Sequence, residues 1–453
     1  MYVTRVQLRD IKGFHGRRAV DLELPGKGGW TVIAGRNSSG KSTLLQATAL
    51  ALSGPEAVAS LSMDIDRWVT DGAKSGRVQV DVRVDEEADV FEPALPETAP
   101  TLQLGMEWPR IKSPRGDGGI RWPSITVTPA SLVAGRQGPW GYAPQGWFCA
   151  GYGPFRRLTG GGGFSHHRPD SPGPLDTLFR EDASLAESVG WVLELHHRAL
   201  EEERAGQQEE TTEPAATRLL SAVVGLLGDG LLPDRFQIRS VSSDGLWVNV
   251  PGRKNAFPLR EMSDGYRTVA ALVLDIARQI HAAYGHLETA VTASGSTVIL
   301  QPGVVLIDEM DAHLHVTWQR RIGDWLREHF PNIQFIVSSH SPYICQAADE
   351  GALIRLPGPD EEEPPAVVDE DLYRRVVYGS ADDAVLSELF GLETPYSSRA
   401  ERLRQQLVAL ERKVYAGTAT AEEVAEYKEL SRLLTSSVQS RVAEVAARLE
   451  QEQ

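Results

Sequence analysis

Gly35-Arg36-Asn37-Ser38-Ser39-Gly40-Lys41-Ser42, with Thr43 next in the chain, is the stretch on which the reading of this sequence turns. It fits the pattern G-x-x-x-x-G-K-[ST] at every position. Its flanks suit the pattern too, since Trp30-Thr31-Val32-Ile33-Ala34 reads as a buried strand and Ser42 to Leu52 as a helix. A strand–loop–helix of this kind points the backbone N–H groups of the loop and the helix N-terminus at an anion. Lys41 would reach the β- and γ-phosphates, and the Ser42 hydroxyl would ligate Mg²⁺. The spacing predicts a nucleoside-triphosphate site.

The rest of the composition bounds the setting. At 453 residues the chain is expected to divide into about two or three structural units. Cys149 and Cys345 are its only cysteines, so no disulfide framework or Cys-rich zinc site is expected, and a reducing cytoplasm fits. The first residues do not resemble a signal peptide, and no apolar run approaches the roughly 20 residues of a membrane helix. The expected localisation is cytoplasmic, without membrane association. The net charge of −16 is uneven: residues 1–160 carry +3 and the remainder −19. Indiscriminate coating of nucleic acid is not expected of so acidic a chain, because that affinity comes mostly from basic surface. Arg156, Arg157 and Arg168, with His166 and His167, form the best basic cluster, serving either nucleic acid or the nucleotide.

Along the chain, Tyr2 to Leu8 reads as a strand, Ile11 to Phe14 as a turn and Val20 to Leu24 as the hairpin partner. Val78, Val80, Val82 and Val84 alternate as in a half-buried strand. Glu92 to Gly163 is rich in Pro, Gly and Trp and is expected to be mostly irregular. Asp182 to Arg204 and Ala215 to Leu227 have helical spacing, Arg235 to Ser240 and Leu246 to Val250 read as a strand pair, and Met262 to Ala283 as a helix. Val304 to Ile307 and Gln334 to Val337 are apolar runs of buried parallel-strand type flanking a helix from Thr317 to His329. Pro357 to Pro365 is an acidic surface loop. From Ser397 onward, Leu403, Leu407, Leu410 and Val414 mark one helix, Gly417 ends it, and the capping box Thr420-x-x-Glu423 opens a second. The expected divisions are 1–90 (N-terminal lobe with the phosphate loop), 91–180 (loop-rich insertion), 181–234 (helical subdomain), 235–357 (C-terminal lobe), 358–396 (linker and short helices) and 397–453 (helical hairpin).

Val304-Val305-Leu306-Ile307-Asp308-Glu309 ends an apolar run in two carboxylates. A strand there would deliver Asp308 to the Mg²⁺ shell and Glu309 to an attacking water, which needs an acceptor about 3 Å away. The next apolar run ends in Ser338-Ser339-His340-Ser341-Pro342, and that order favours a γ-phosphate contact for His340.

Met262-Ser263-Asp264-Gly265-Tyr266-Arg267, before a long helix, resembles the signature loop of ABC-type ATPases. With the phosphate loop, Asp308-Glu309, Asp311 and His340, the order resembles the SMC/RecF/OLD branch of that superfamily, and within it most resembles compact AAA-family ATPases. Leu8-Arg9-Asp10-Ile11-Lys12-Gly13-Phe14 is similar to that branch's strand-then-"FRGF" opening. Glu309-Met310-Asp311-Ala312-His313-Leu314-His315 is similar to its "DEPExHLHP" stretch. These motifs extend from about residue 1 to 345. Ser38 departs from the pattern, standing where these ATPases usually have Gly, and Ser-Asp-Gly departs from the transporters' Ser-Gly-Gly-Gln. Gln145 is a weak candidate for the Q-loop glutamine. Tyr152-Gly153-Pro154-Phe155-Arg156-Arg157 and the Leu-rich tail resemble compact ATPases of bacterial anti-phage systems, such as Septu-type and retron-associated ones.

The resemblance implies an α/β fold: an ABC-type P-loop ATPase head, with a mixed β-sheet and flanking helices, plus a helical insertion and a C-terminal αα-hairpin. It implies ATP and Mg²⁺ as ligands, with Glu309, His340 and Lys41 catalytic, Ser42 and Asp308 on the metal, and Ser263 and Gly265 acting on the other subunit's nucleotide. A homodimer with two ATPs at its interface follows. One reading is the regulatory ATPase of a defence complex whose effector, a nuclease or toxin, is a separate protein. Another is a RecF-like repair ATPase that clamps DNA when ATP-bound. A third, a non-catalytic module holding ATP as a structural ligand, leaves Glu309 without a purpose.

Overall fold

The computed structural model describes residues 1–54, 61, 65–91, 101–110, 124–128, 138–140, 146–156, 173–181, 183–205, 214–232, 236–250, 252 and 256–434. The chain divides into two units, Met1–Ala384 and Val385 onward.

In the first unit the N-terminal hairpin forms as its alternation demands. β1 (Tyr2–Arg9) pairs antiparallel with β2 (Val20–Glu23) and, on its other side, with β4 (Ser75–Arg83). β5 (Thr101–Pro109) and β6 (Ser124–Thr128) extend this sheet in the order β2-β1-β4-β5-β6. A second, six-stranded sheet has the order β16-β15-β3-β14-β13-β7. Its members are β3 (Gly29–Gly35), β7 (Cys149–Tyr152), β13 (Gly303–Ile307), β14 (Ile333–Ser339), β15 (Leu353–Leu356) and β16 (Ala366–Val367). All pair in parallel except β15 with β16. Its central strands are uniformly buried, which is why they read as continuous apolar runs instead of alternating ones.

Helix α1 (Lys41–Ser53) joins the two sheets. Apolar almost all round, it can only be stable with both sides covered. Leu44, Leu45, Leu50 and Leu52 share one core cluster with Val78 and Val80 of the first sheet and Val304 and Leu306 of the second. Gln334 ties the sheets by a different means. Its buried amide accepts from Val3 N (2.7 Å) and donates to Val3 O (2.9 Å), beside the register shift in β1 between Val3 and Arg5. A buried polar side chain is tolerated there because both its groups are paired.

The helical expectations for the middle of the chain hold closely. After a short α2 (Asp176–Phe179) come α3 (Ala186–Ala205) and α4 (Ala215–Gly228). They are followed by an antiparallel sheet of β8 (Gln237–Ser242), β9 (Gly245–Asn249) and β10 (Phe257–Pro258). α5 (Asp264–Tyr284) is closed by Gly285 in the left-handed region, and β11 (Thr289–Val291) pairs with β12 (Thr297–Ile299).

One expectation is corrected and another is tested only in part. Of Glu92 to Gly163, expected to be mostly irregular, the larger part lies outside the described residues, but β5 runs the full length of β4 and β7 lies against β13. The alternation of Leu102, Leu104, Met106 and Trp108, all buried, outweighs the Pro and Gly around it. The helix expected over Thr317 to His329 is two, α6 (Val316–Gln319) and α7 (Ile322–His329). Arg321 N bonds back only three residues, to Trp318 O (2.9 Å), tightening the chain between them.

The second unit carries the αα-hairpin, with helices at Ser398–Tyr415 and Ala421–Leu434. Gly417 takes the left-handed conformation between them, at φ 69°. The capping box closes reciprocally: Glu423 N donates to Thr420 Oγ1 (3.2 Å), and Thr420 N donates to Glu423 Oε2 (2.9 Å).

Candidate functional site

The phosphate loop turns between β3 and α1, and its backbone carries the strain that a cradle requires. Gly40 sits at φ 102°, and a Cβ there would lie 2.5 Å from the Phe14 ring. A Cβ on Gly35 would lie 2.4 Å from Leu356 O. Ser38, the departure from the family pattern, adopts φ 62°, the conformation a glycine would take without cost. The substitution therefore leaves the backbone in the left-handed region and stores strain there. The Ser39 hydroxyl is buried and, among the described residues, has no hydrogen-bond partner.

Strand order brings the second half of the site to this loop. β14 lies between β3 and β13, and all three run parallel. Their C-terminal ends therefore emerge on one edge: the loop after β3, Asp308-Glu309 after β13, and His340 after β14. A cavity of about 450 Å³ opens there, lined by Asn37 to Thr43, Glu309 and His340. Gly35, Arg36 and Asp308 support it from behind. Ser263 and Gly265, at the start of α5, are not among its lining residues. A second cavity, of about 310 Å³, lies among α3, α4 and the end of α5 and holds none of the expected site residues.

Serines fasten the carboxylates. Ser338 Oγ donates to Asp308 Oδ1 and accepts from Glu309 N (2.8 Å). Ser339 Oγ donates to Asp311 Oδ1, which also accepts from His340 N (3.1 Å). Lys41 Nζ donates to Gly35 O (2.9 Å) and Arg36 O (3.0 Å). Burial holds the Lys41 ammonium below its usual pKa against the pull of Asp308, Glu309 and Asp311. Burial, with Asp308 and Asp311 alongside, pushes the Glu309 carboxyl up. Burial, then the Lys41 charge, pushes His340 down. Glu309 stands at φ 46°, uncommon for a residue with a side chain and frequent where a functional group must be held off its preferred geometry.

These groups fit a bound nucleotide and its metal. The strained glycine-bearing loop, the buried unpartnered Ser39 hydroxyl and the cation held over two carbonyls match an anion cradle. Exposed Ser42 and the Asp308 carboxylate are hard oxygen donors of the kind Mg²⁺ takes alongside phosphate oxygens.

The sequence reading missed two features. The acidic segment after β15 is not merely a surface loop. Arg18 donates to Pro357 O (3.1 Å), Glu361 O (3.0 Å) and Ser39 O (3.4 Å), Arg36 pairs with Asp360 (3.4 Å), and Pro359 lines the cavity. Arg156 is not part of a basic surface patch, being only 1% exposed. Arg157, His166, His167 and Arg168, like Gln145, lie outside the described residues. No sequence signal marked either feature, because both depend on contacts between distant parts of the chain.

Loop, strand order and carboxylate pair make an α/β P-loop fold with a candidate nucleotide site at one edge of its parallel sheet. Residues 164–346 match a family model described as "AAA domain, putative AbiEii toxin, Type IV TA system", and residues 5–92 match a second described as "AAA domain". The chain is similar to the Retron Vc95 probable ATPase of Vibrio cholerae serotype O1 biovar El Tor, at 45% identity over 24% of this chain and 20% of that one. It is 40% identical to the Retron Ec83 probable ATPase of Escherichia coli over 20% of this chain and 15% of that one. It is 28% identical to a Septu protein PtuA of Bacillus thuringiensis over 36% of this chain and 40% of that one. The matches thus span well under half the length of each relative. Among solved structures, an SMC head bound to the C-winged helix domain of ScpA aligns over 81% of this chain and 98% of that one, at TM-score 0.46 and 17% identity. Among the described residues no helix is long and apolar enough to cross a membrane.

Proposed function

We propose that this chain hydrolyses ATP to ADP and phosphate as a two-fold dimer, and that it serves as the regulatory ATPase of a bacterial anti-phage defence complex. The observation that carries the reading is the grouping of Lys41, Ser42, Glu309 and His340 around one cavity that lacks Ser263 and Gly265. Ser263 precedes a 21-residue helix, is exposed, and makes no side-chain cap to its own helix. That N-terminus is free to meet a partner's γ-phosphate. Each chain has one phosphate loop and one signature, so two chains would complete two sites.

In the reaction Lys41 holds the β/γ-phosphate oxygens, Ser42 and Asp308 would hold Mg²⁺, which would neutralise developing charge, and His340 contacts the γ-phosphate. Glu309 orients the attacking water and accepts its proton, a task suited to a carboxylate whose surroundings raise its basicity. Similarity to retron ATPases and PtuA proteins supports a defence role, with the effector on a separate chain.

The test is ATP turnover by the purified protein, followed by recovery of the tagged protein from its host and identification of what co-elutes. Turnover with a stoichiometric protein partner supports the proposal. Tight, salt-sensitive DNA binding without a protein partner would favour the DNA-clamping alternative.

A further inference from the structure

Arg156 follows β7, the strand beside β13, and is fully buried. Its guanidinium makes two directed bonds: Nη1 donates to Asp308 O (2.8 Å) and Nη2 to Glu309 O (3.0 Å). These are the carbonyls of the two residues on which hydrolysis is proposed to rest. The Glu309 amide is held from the other side, its N–H donating to Ser338 Oγ (2.8 Å). Between the two anchors Glu309 is kept at φ 46°, which an unrestrained glutamate would leave.

Burying a guanidinium is unfavourable, and here it lowers the Arg156 pKa to about 10. A position that needed only to be filled would be better served by Leu or Met. What arginine alone supplies is a rigid planar fork that reaches two acceptors at once. The strand that carries it is itself fixed. Asp308 N donates to Tyr152 O (2.7 Å), and Tyr152 Oη donates to Asp275 Oδ2 (2.9 Å) on α5, where Arg278 also bonds Asp275. The fork therefore stands on a frame shared by β7, β13 and the helix behind Ser263.

We infer that Arg156 is the positioning residue for Glu309, holding the Asp308–Glu309 peptide so that the Glu309 carboxylate faces the nucleotide cavity. The inference rests on the ATPase reading above. Arg156 lies away from the cavity lining, so its effect falls on the chemical step and not on nucleotide affinity.

The experiment measures kcat, KM and ATP affinity for the wild type, Arg156→Lys, Glu309→Gln and the double variant. Lys keeps the charge but not the fork. Arg156→Lys should lower kcat at least tenfold while KM and ATP affinity change less than twofold. In the Glu309→Gln background the same substitution should change turnover less than twofold, because the group it positions is already disabled. A wild-type kcat in Arg156→Lys overturns the inference and leaves the ATPase reading standing. So does an equal loss in both backgrounds. An Arg156→Lys protein that no longer binds ATP assigns the arginine a purely structural role and also overturns it. A wild-type protein that binds but does not hydrolyse ATP overturns the ATPase reading instead.

Discussion

Gly265 stands so close to His313 that a Cβ built on it would lie 2.5 Å from the His313 carbonyl oxygen. The start of α5 thus presses on the turn that follows Asp308-Glu309, linking the Ser263–Arg267 segment to the carboxylates in the same chain. The neighbour is backbone and cannot swing aside. Gly265→Ala is expected to destabilise the protein by about 1–3 kcal/mol, the usual range for overpacking, and to slow ATP turnover by displacing that turn. Denaturant unfolding and steady-state hydrolysis check it. Unchanged values in both would mean the contact is looser than the structure has it.

Lys41→Ala should weaken ATP binding at least tenfold, the lower end of what a charge-assisted hydrogen bond contributes. Calorimetric titration reads it directly. Wild-type affinity would remove the phosphate loop from the site.

Glu309→Gln should bind ATP and slow its hydrolysis on the order of 10² or more, accumulating an ATP-bound dimer. Without nucleotide or magnesium the same variant makes a prediction about stability. The folded-state pKa of Glu309 is raised, so its charged form destabilises the fold above that pKa, and the penalty vanishes where the group is neutral in both states. The variant should melt higher than wild type at neutral pH, and the gain should fade as pH falls through the raised folded-state pKa and be gone below the ordinary glutamate value of 4.5. A gain independent of pH would rule out charge as its source.

Ser263→Arg should leave ATP binding by one subunit intact and abolish ATP-driven pairing. Mixed with Lys41→Ala subunits in equal amounts, it should recover about a quarter of wild-type turnover, since random pairing in a two-fold dimer leaves one intact site in half the dimers. No recovery at any ratio would show that the signature does not act across subunits.

Ser38→Gly should stabilise the chain by up to about 1 kcal/mol, because relief of the left-handed strain at φ 62° outweighs the added freedom of the unfolded glycine. Thermal unfolding decides it, and a lower melting temperature would mean that the serine side chain contributes more than its strain removes.

What the sequence by itself determined is local. The phosphate loop is eight consecutive residues whose chemistry is carried by their own backbone, so the glycines, Lys41 and Ser42 announce it without knowledge of any neighbour. The same is true of the tail hairpin, where Gly417 and the Thr420–Glu423 box act within a few residues. The runs that form β13 and β14 were legible because strands buried on both faces must be apolar throughout. Tertiary structure alone decided the rest. Parallel pairing of β3, β14 and β13 puts Lys41 around one cavity with Glu309 and His340, which lie more than 260 residues further along the chain. Arg156 reads as surface charge in a Gly/Pro-rich stretch until β7 pairs with β13 and buries its guanidinium against carbonyls 152 and 153 residues away. The acidic segment after β15 reads as solvated until Arg18 and Arg36 take it against the phosphate loop. The reason is common to these cases. A hydrogen bond to a distant backbone carbonyl leaves no mark on the sequence at the accepting end, because every residue offers the same carbonyl.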